Sequence, residues 1–259
     1  MKKAILVVSF GTSYEETRKK TIDIIEKKIA EGFPEYTVYR AWTSKIIIKK
    51  LKERDNIHIY TVKEAIEKMM ADGVTDLVIQ PTHIINGIEN DNMRRDAHIL
   101  KKYFNSVKVG SPLLTSEEDN LTVVRAVGEE FSSLTERQAL VLMGHGTEHY
   151  ANSIYAALDY RFKSEGYKNI FMGTVEGYPA LEQVKKLVKE YNPEEVVLAP
   201  FMFVAGDHAT NDMAGEEDDS WANEFRMEGY NVKTVLKGLG EYDKIQDLYM
   251  KHIREAIEK

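Results

Sequence analysis

The sequence predicts an α/β chain of two domains, each built on a mostly parallel sheet. Three observations predict it. Short apolar runs rich in β-branched residues alternate with longer stretches of 3.6-residue periodicity, the pattern of strands feeding crossover helices. The 259 residues are 43% hydrophobic and 30% charged, which supplies a sizeable core and excludes a disordered or collagen-like chain. The order of elements also repeats, and short motifs repeat with it at matching places.

Taken in order, residues 4–10 read as a buried strand, 15–30 as a helix, 36–41 as a strand and 62–72 as a helix stopped by Gly73. DLVIQP (76–81) is another buried strand, followed by a loop, a helix near 94–103 and a short strand at 106–109. A polar stretch around 116–120 separates the halves. The second half gives strands at 139–143, 169–174, 195–200 and 231–236, with helices at 153–163, 180–191, 221–228 and 242–257. The boundary is placed at 125/126, giving domains 1–125 and 126–259. Phe10-Gly11-Thr12 after the first strand parallels His145-Gly146-Thr147. Pro81, Gly87, Glu89 and Asn92 share the spacing P-x5-G-x-[E/H]-x2-N with Pro200, Gly206, His208 and Asn211. This is read as a duplicated unit, the first copy longer by about 16 residues between the two motifs. Chance similarity of two parallel-sheet halves is the competing reading.

Composition removes several function classes. A net charge of −7 argues against a protein whose main task is to neutralise phosphate backbones, so no nucleic-acid partner is expected. With no cysteine there are no disulfides, thiolate metal sites or cysteine nucleophiles, and a reducing compartment fits. The basic start and the apolar run to Phe10 are too short for a signal peptide, with Glu15 and Glu16 following at once. No apolar segment approaches the roughly 18–20 residues of a membrane span, so a cytoplasmic protein without a membrane partner is expected. Ser9-Phe10-Gly11-Thr12-Ser13 is no Walker A loop and no G-x-G-x-x-G opens a helix, so no nucleotide is expected; no G-x-S-x-G elbow points to a hydrolase.

In open α/β sheets, ligands bind outside the carboxyl ends of the strands. The polar residues there are Ser9, Thr12 and Ser13 after the first strand, and His83 and Glu89 after DLVIQP. In the second half they are His145 and His149, then Glu176, then Asp207 and His208. His145 lies between two glycines that let the backbone turn sharply and leave the ring uncrowded. A lone histidine after a strand is usually structural, and Glu176 alone reads equally well as a carboxylate at a helix N-terminus. The set is stronger: two imidazoles and a carboxylate from separate strand ends make a nitrogen–oxygen site for Co²⁺, Ni²⁺, Fe²⁺ or Zn²⁺, with coordination positions left open. The run Glu216 to Asp219 reads as a solvated loop.

HGT at 145–147, TVEGYP at 174–179, PFMFVAGDHATNDM at 200–213 and QPTHIINGIENDNM at 80–93 resemble the class II tetrapyrrole chelatases, specifically the anaerobic sirohydrochlorin cobaltochelatase family. The resemblance covers essentially the whole chain. It implies two Rossmann-like domains related by a pseudo-twofold, a macrocycle held in a cleft between them, and metal insertion without ATP. It carries the metal ligands onto His145, Glu176 and His208, and implicates Glu89 as a cleft carboxylate. It also makes the last helix, about 241–259, a candidate to pack on the first domain.

Insertion of a divalent ion expels two pyrrole protons, so the site needs a metal-holding set and a proton acceptor. Histidine serves either need, since its unperturbed pKa near ~6.5 leaves it largely neutral at working pH. The expected roles are metal capture by His145, His208 and Glu176, proton acceptance by His145 or by Glu89, and anchoring of the macrocycle carboxylates by backbone N–H groups of Thr12 and Ser13, with Arg94 and Arg95 as further anchors. Co²⁺ is the expected metal substrate, with Ni²⁺, Fe²⁺ and Zn²⁺ open to the same ligand set. A ferro- or nickelochelatase and a non-catalytic tetrapyrrole or metal carrier are the rival functions. Oligomeric state stays open, a homo-oligomer included.

Overall fold

The computed structural model describes residues 2–259. The first part of the chain runs β1 (Lys3–Ser9), α1 (Glu15–Lys20), α2 (Ile22–Gly32), β2 (Tyr36–Trp42), α3 (Lys45–Asp55), α4 (Val62–Ala71), β3 (Asp76–Pro81), α5 (Ile88–Leu100) and β4 (Ser106–Val109). The second runs α6 (Glu117–Glu130), β5 (Gln138–Gly144), α7 (Ser153–Ser164), β6 (Ile170–Thr174), α8 (Leu181–Tyr191), β7 (Glu195–Pro200), α9 (Trp221–Met227), β8 (Asn231–Thr234) and α10 (Asp243–Glu258). The chain divides into two compact units, Met1–Thr115 with Ile245–Lys259, and Ser116–Lys244. Position 125 lies inside α6, so the division falls before that helix rather than within it.

Each unit holds one four-stranded parallel sheet, ordered β2-β1-β3-β4 in the first and β6-β5-β7-β8 in the second. In chain order both sheets run second, first, third, fourth. The shared order is the architectural counterpart of the repeated motifs. Ala4 to Val8 and Ala139 to Met143 are almost wholly buried, as strands of a parallel sheet covered on both faces must be. Each aliphatic side chain buried this way contributes roughly 1.5–3 kcal/mol.

The eight strands fall where the sequence places them; the helices differ in four places. The helix at 15–30 is broken at Thr21, whose hydroxyl donates to Thr17 O (2.6 Å) and competes with the helical ladder. A helix unforeseen in the sequence, α3, occupies 45–55 and accounts for most of the first copy's extra length. The polar stretch at 116–120 opens α6: Ser116 accepts from Asp119 N–H (3.1 Å), and Asp119 accepts from Ser116 N–H (2.9 Å). Helix α5 starts at Ile88 rather than 94, which puts Glu89 in its first turn.

α10 belongs to the first unit. Ile245, Leu248, Tyr249, His252, Ile253 and Ala256 are buried at helical spacing. The Tyr249 hydroxyl reaches Thr82 O (2.9 Å), His252 Nδ1 reaches Ser111 O (3.1 Å), and Lys28 pairs with Asp247 (2.6 Å). No helix of the described residues is long and apolar enough to cross a membrane.

Candidate metal centre

Strand β5 lies between β6 and β7, so the loops leaving the carboxyl ends of these three strands converge. His145 follows β5 directly, Glu176 stands just beyond β6, and His208 ends the loop after β7. The structure brings the three together: one ligand atom from each lies within 4.8 Å of the others. The imidazoles of His145 and His208 meet edge to face, with ring centroids 4.7 Å apart and planes at 89°. Glu176 Oε2 lies 3.7 Å from His145 Nδ1. Ligands that share one ion at about 2 Å stand about 3–4 Å apart, so modest side-chain movement closes this set on a cation. The two imidazoles are partly exposed and Glu176 is exposed, which leaves a cation room for further ligands.

The backbone holds two of the three in register. The hydrogen-bond ladder runs on past the strands, with Val175 N–H donating to Gly144 O (3.0 Å) and Glu176 N–H to His145 O (2.8 Å). Gly146 has φ +82°, and a Cβ there would stand 2.7 Å from Gly177 N and 2.9 Å from Glu176 C. Only glycine lets the His145 loop lie this close to the Glu176 loop. Asn152 clasps the two: its Oδ1 accepts from Thr147 N–H (3.0 Å) and its Nδ2 donates to Tyr178 O (2.7 Å). Thr174 closes the second loop, donating its N–H and its hydroxyl to Pro179 O (2.7 and 3.1 Å). His208 stands at the head of a short π-helix, Ala209–Met213, with Nδ1 2.5 Å from Asp212 Oδ2.

The other candidates have different surroundings. His149 acts as a cap, its Nδ1 accepting from Ala151 N–H (3.1 Å) and its ring lying against Tyr150 at 4.1 Å between centroids. Glu89, Thr12 and Ser13 lie in the first unit. Glu89 is half-buried in the first turn of α5. Thr12 and Ser13 are buried after β1, where Thr12 Oγ1 accepts from Tyr14 N–H (3.2 Å) and Ser13 O accepts from Arg54 Nη2 (2.8 Å). Arg94 Nη2 reaches Gly110 O (3.4 Å) and Arg95 Nη2 reaches Asn92 Oδ1 (2.8 Å). Sequence reasoning missed Asn152 and Asp212. Asp212 lies within the stretch 200–213, four residues after His208, a spacing that faces two side chains on a helix; nothing in the sequence singles out Asn152.

His83 is buried, and neither ring nitrogen has a hydrogen-bond partner among the described residues. Burial pushes its pKa down to about 4. The ring is therefore neutral in the folded protein, while the unfolded chain takes up a proton near its ordinary value. Stability thus falls as pH drops from about 6.5 towards 4, by about 2–3 kcal/mol at pH 4.5. Urea midpoints at pH 7 and pH 4.5 are expected to differ less in His83→Leu than in the wild type; equal losses would contradict this reading.

The family model described as cobalt chelatase (CbiK) matches residues 3–258. The chain belongs to the cobalt chelatase family. Among curated relatives, the sirohydrochlorin cobaltochelatase of Salmonella typhimurium is 39% identical, over 99% of this chain and 97% of its own. The sirohydrochlorin cobaltochelatase CbiKC of Nitratidesulfovibrio vulgaris is 30% identical, over 99% and 91%. In fold, this cobalt chelatase family member is similar to SirB from Bacillus subtilis solved with Fe³⁺, at TM-score 0.68 with 13% identity, over 99% of this chain and 96% of that one. A further neighbour is the sirohydrochlorin chelatase SirB of Bacillus subtilis subspecies spizizenii in complex with cobalt, at TM-score 0.65 and 13% identity, over 100% and 96%.

Proposed function

We propose that the protein inserts Co²⁺ into sirohydrochlorin without nucleotide hydrolysis, with His145, Glu176 and His208 as the groups that capture the metal. The convergence of these three side chains within 4.8 Å, in a chain of the cobalt chelatase family, carries the reading. Neutral imidazole and carboxylate oxygen together suit a borderline ion such as Co²⁺. A set open to solvent also gives up its ion more readily than a closed structural site, as delivery requires.

The chemistry balances simply: the free-base macrocycle and M²⁺ give the metallated ring and two protons. As the ion moves from imidazole to pyrrole nitrogen, the imidazole lone pair it leaves can take a pyrrole proton. His145 serves as ligand first and base second. Glu89 is the second acceptor, and the backbone N–H groups of Thr12 and Ser13 anchor the peripheral carboxylates of the ring. Binding of those peripheral groups supplies the energy that distorts the ring towards its metal-accepting shape.

The test is turnover. Purified protein with excess sirohydrochlorin and Co²⁺, and no ATP, is expected to release many equivalents of metallated product per chain, followed by absorbance. A carrier would stop at one equivalent. In the same assay Glu89→Gln is expected to lower kcat by about 10²–10⁴-fold, as loss of a general base does, with Co²⁺ affinity unchanged. Wild-type kcat in that variant would remove Glu89 from the proton path.

A further inference from the structure

Asp212 has no place in the ligand set above, yet its carboxylate makes a close polar contact with one of the two imidazoles in that set. Its Oδ2 lies 2.5 Å from His208 Nδ1. A carboxylate only accepts, so the contact puts the ring proton on Nδ1 and leaves Nε2 with the lone pair a cation needs. The π-turn builds this contact. Ala214 N–H bonds to Ala209 O (3.2 Å), five residues back, and the widened turn carries His208 and Asp212 on one side.

The duplication supplies an independent observation. In the shared motif, His208 corresponds to Glu89 and Asp212 to Met93, and Met93 is buried in the apolar core of the first unit. The copy that carries a carboxylate at the ligand position has no ring N–H to satisfy, and there the acidic partner is replaced by an apolar side chain. The acid is present in the copy that carries an imidazole.

We propose that Asp212 is a positioning residue for metal capture. It fixes the tautomer and orientation of His208 and raises the donor strength of Nε2 through the hydrogen bond at Nδ1. This rests on the reading of His208 as a metal ligand. Partners of this kind change metal affinity by about 10–100-fold when removed.

The experiment titrates Co²⁺ into wild type, Asp212→Ala, Asp212→Asn and His208→Ala by calorimetry and by the visible absorption of bound Co²⁺. Insertion kinetics are measured with Co²⁺ and sirohydrochlorin varied separately. Asp212→Ala is expected to weaken Co²⁺ binding about 10–100-fold, to shift the Co²⁺ spectrum, and to raise KM for Co²⁺ while KM for the macrocycle stays put. Asp212→Asn keeps an acceptor for Nδ1–H without the charge, and is expected to fall between Asp212→Ala and wild type. Asp212 is exposed, so neither variant should lose thermal stability, which separates positioning from a merely structural role. Wild-type Co²⁺ affinity in both Asp212 variants, with binding lost in His208→Ala, would overturn the positioning role and leave the metal site standing. Wild-type affinity in His208→Ala would overturn the metal site itself.

Discussion

His145→Ala is expected to insert Co²⁺ at least about 10²-fold more slowly than wild type, and up to about 10⁴-fold if His145 is also the proton acceptor. On the proposed site, the change removes one of two nitrogen donors from a three-residue ligand set, and with it the imidazole assigned as base. The alanine keeps the backbone carbonyl that receives the Glu176 N–H, so the two loops stay in register and the fold survives. His149→Ala is the matched control. It lies four residues along the same loop but spends its ring on a cap, so insertion should fall by no more than a few-fold. Equal losses in the two variants would mean that the loop, and not the imidazole of His145, is what the reaction needs.

Gly146→Ala is expected to destabilise the second unit by about 2–5 kcal/mol and to abolish Co²⁺ capture. Two causes add. A left-handed backbone conformation costs a side-chain-bearing residue roughly 1–2 kcal/mol, and the new methyl would press on the backbone of Glu176 and Gly177, an overpacking of about 1–3 kcal/mol. The neighbour that must yield is the segment carrying Glu176, a proposed metal ligand, so stability and binding are expected to fall together. Gly166 separates the terms: its φ is +94°, but nothing lies within 4 Å of a Cβ placed there. Gly166→Ala should therefore pay only the conformational cost and leave Co²⁺ affinity intact. Urea unfolding and Co²⁺ titration of both variants check this; a Gly146→Ala protein as stable as Gly166→Ala would show that the loops can part without harm.

The strands were legible because a parallel sheet buries both faces and writes itself as continuous apolar runs, as at Ala4 to Val8 and Ala139 to Met143. Helices that lack a regular stripe were not. In α3 only Leu51 is buried and Ile46 is 82% exposed, so its consecutive isoleucines present no helical period. In α6 the missed signal was local: Ser116-x-x-Asp119 is a capping box that reads as a loop when polarity alone is weighed. The break at Thr21, where φ is −125° and ψ −80°, leaves no pattern in the sequence. At the site, His145, Glu176 and His208 could be picked out because each follows a strand whose end the sequence marks. Asn152 could not be found that way, because its two partners, Thr147 and Tyr178, come from loops that only the folded sheet brings side by side. Position after a strand also picks up His149, which lies outside the ligand set and whose capping role shows only once the neighbouring N–H groups are placed.

Diffraction at the cobalt absorption edge, from crystals of the wild-type protein equilibrated with Co²⁺, tests the metal centre most directly. The anomalous peak should lie about 2 Å from an imidazole nitrogen of His145, an imidazole nitrogen of His208 and a carboxylate oxygen of Glu176. A cobalt peak elsewhere in the chain, with none among these three side chains, would contradict the account.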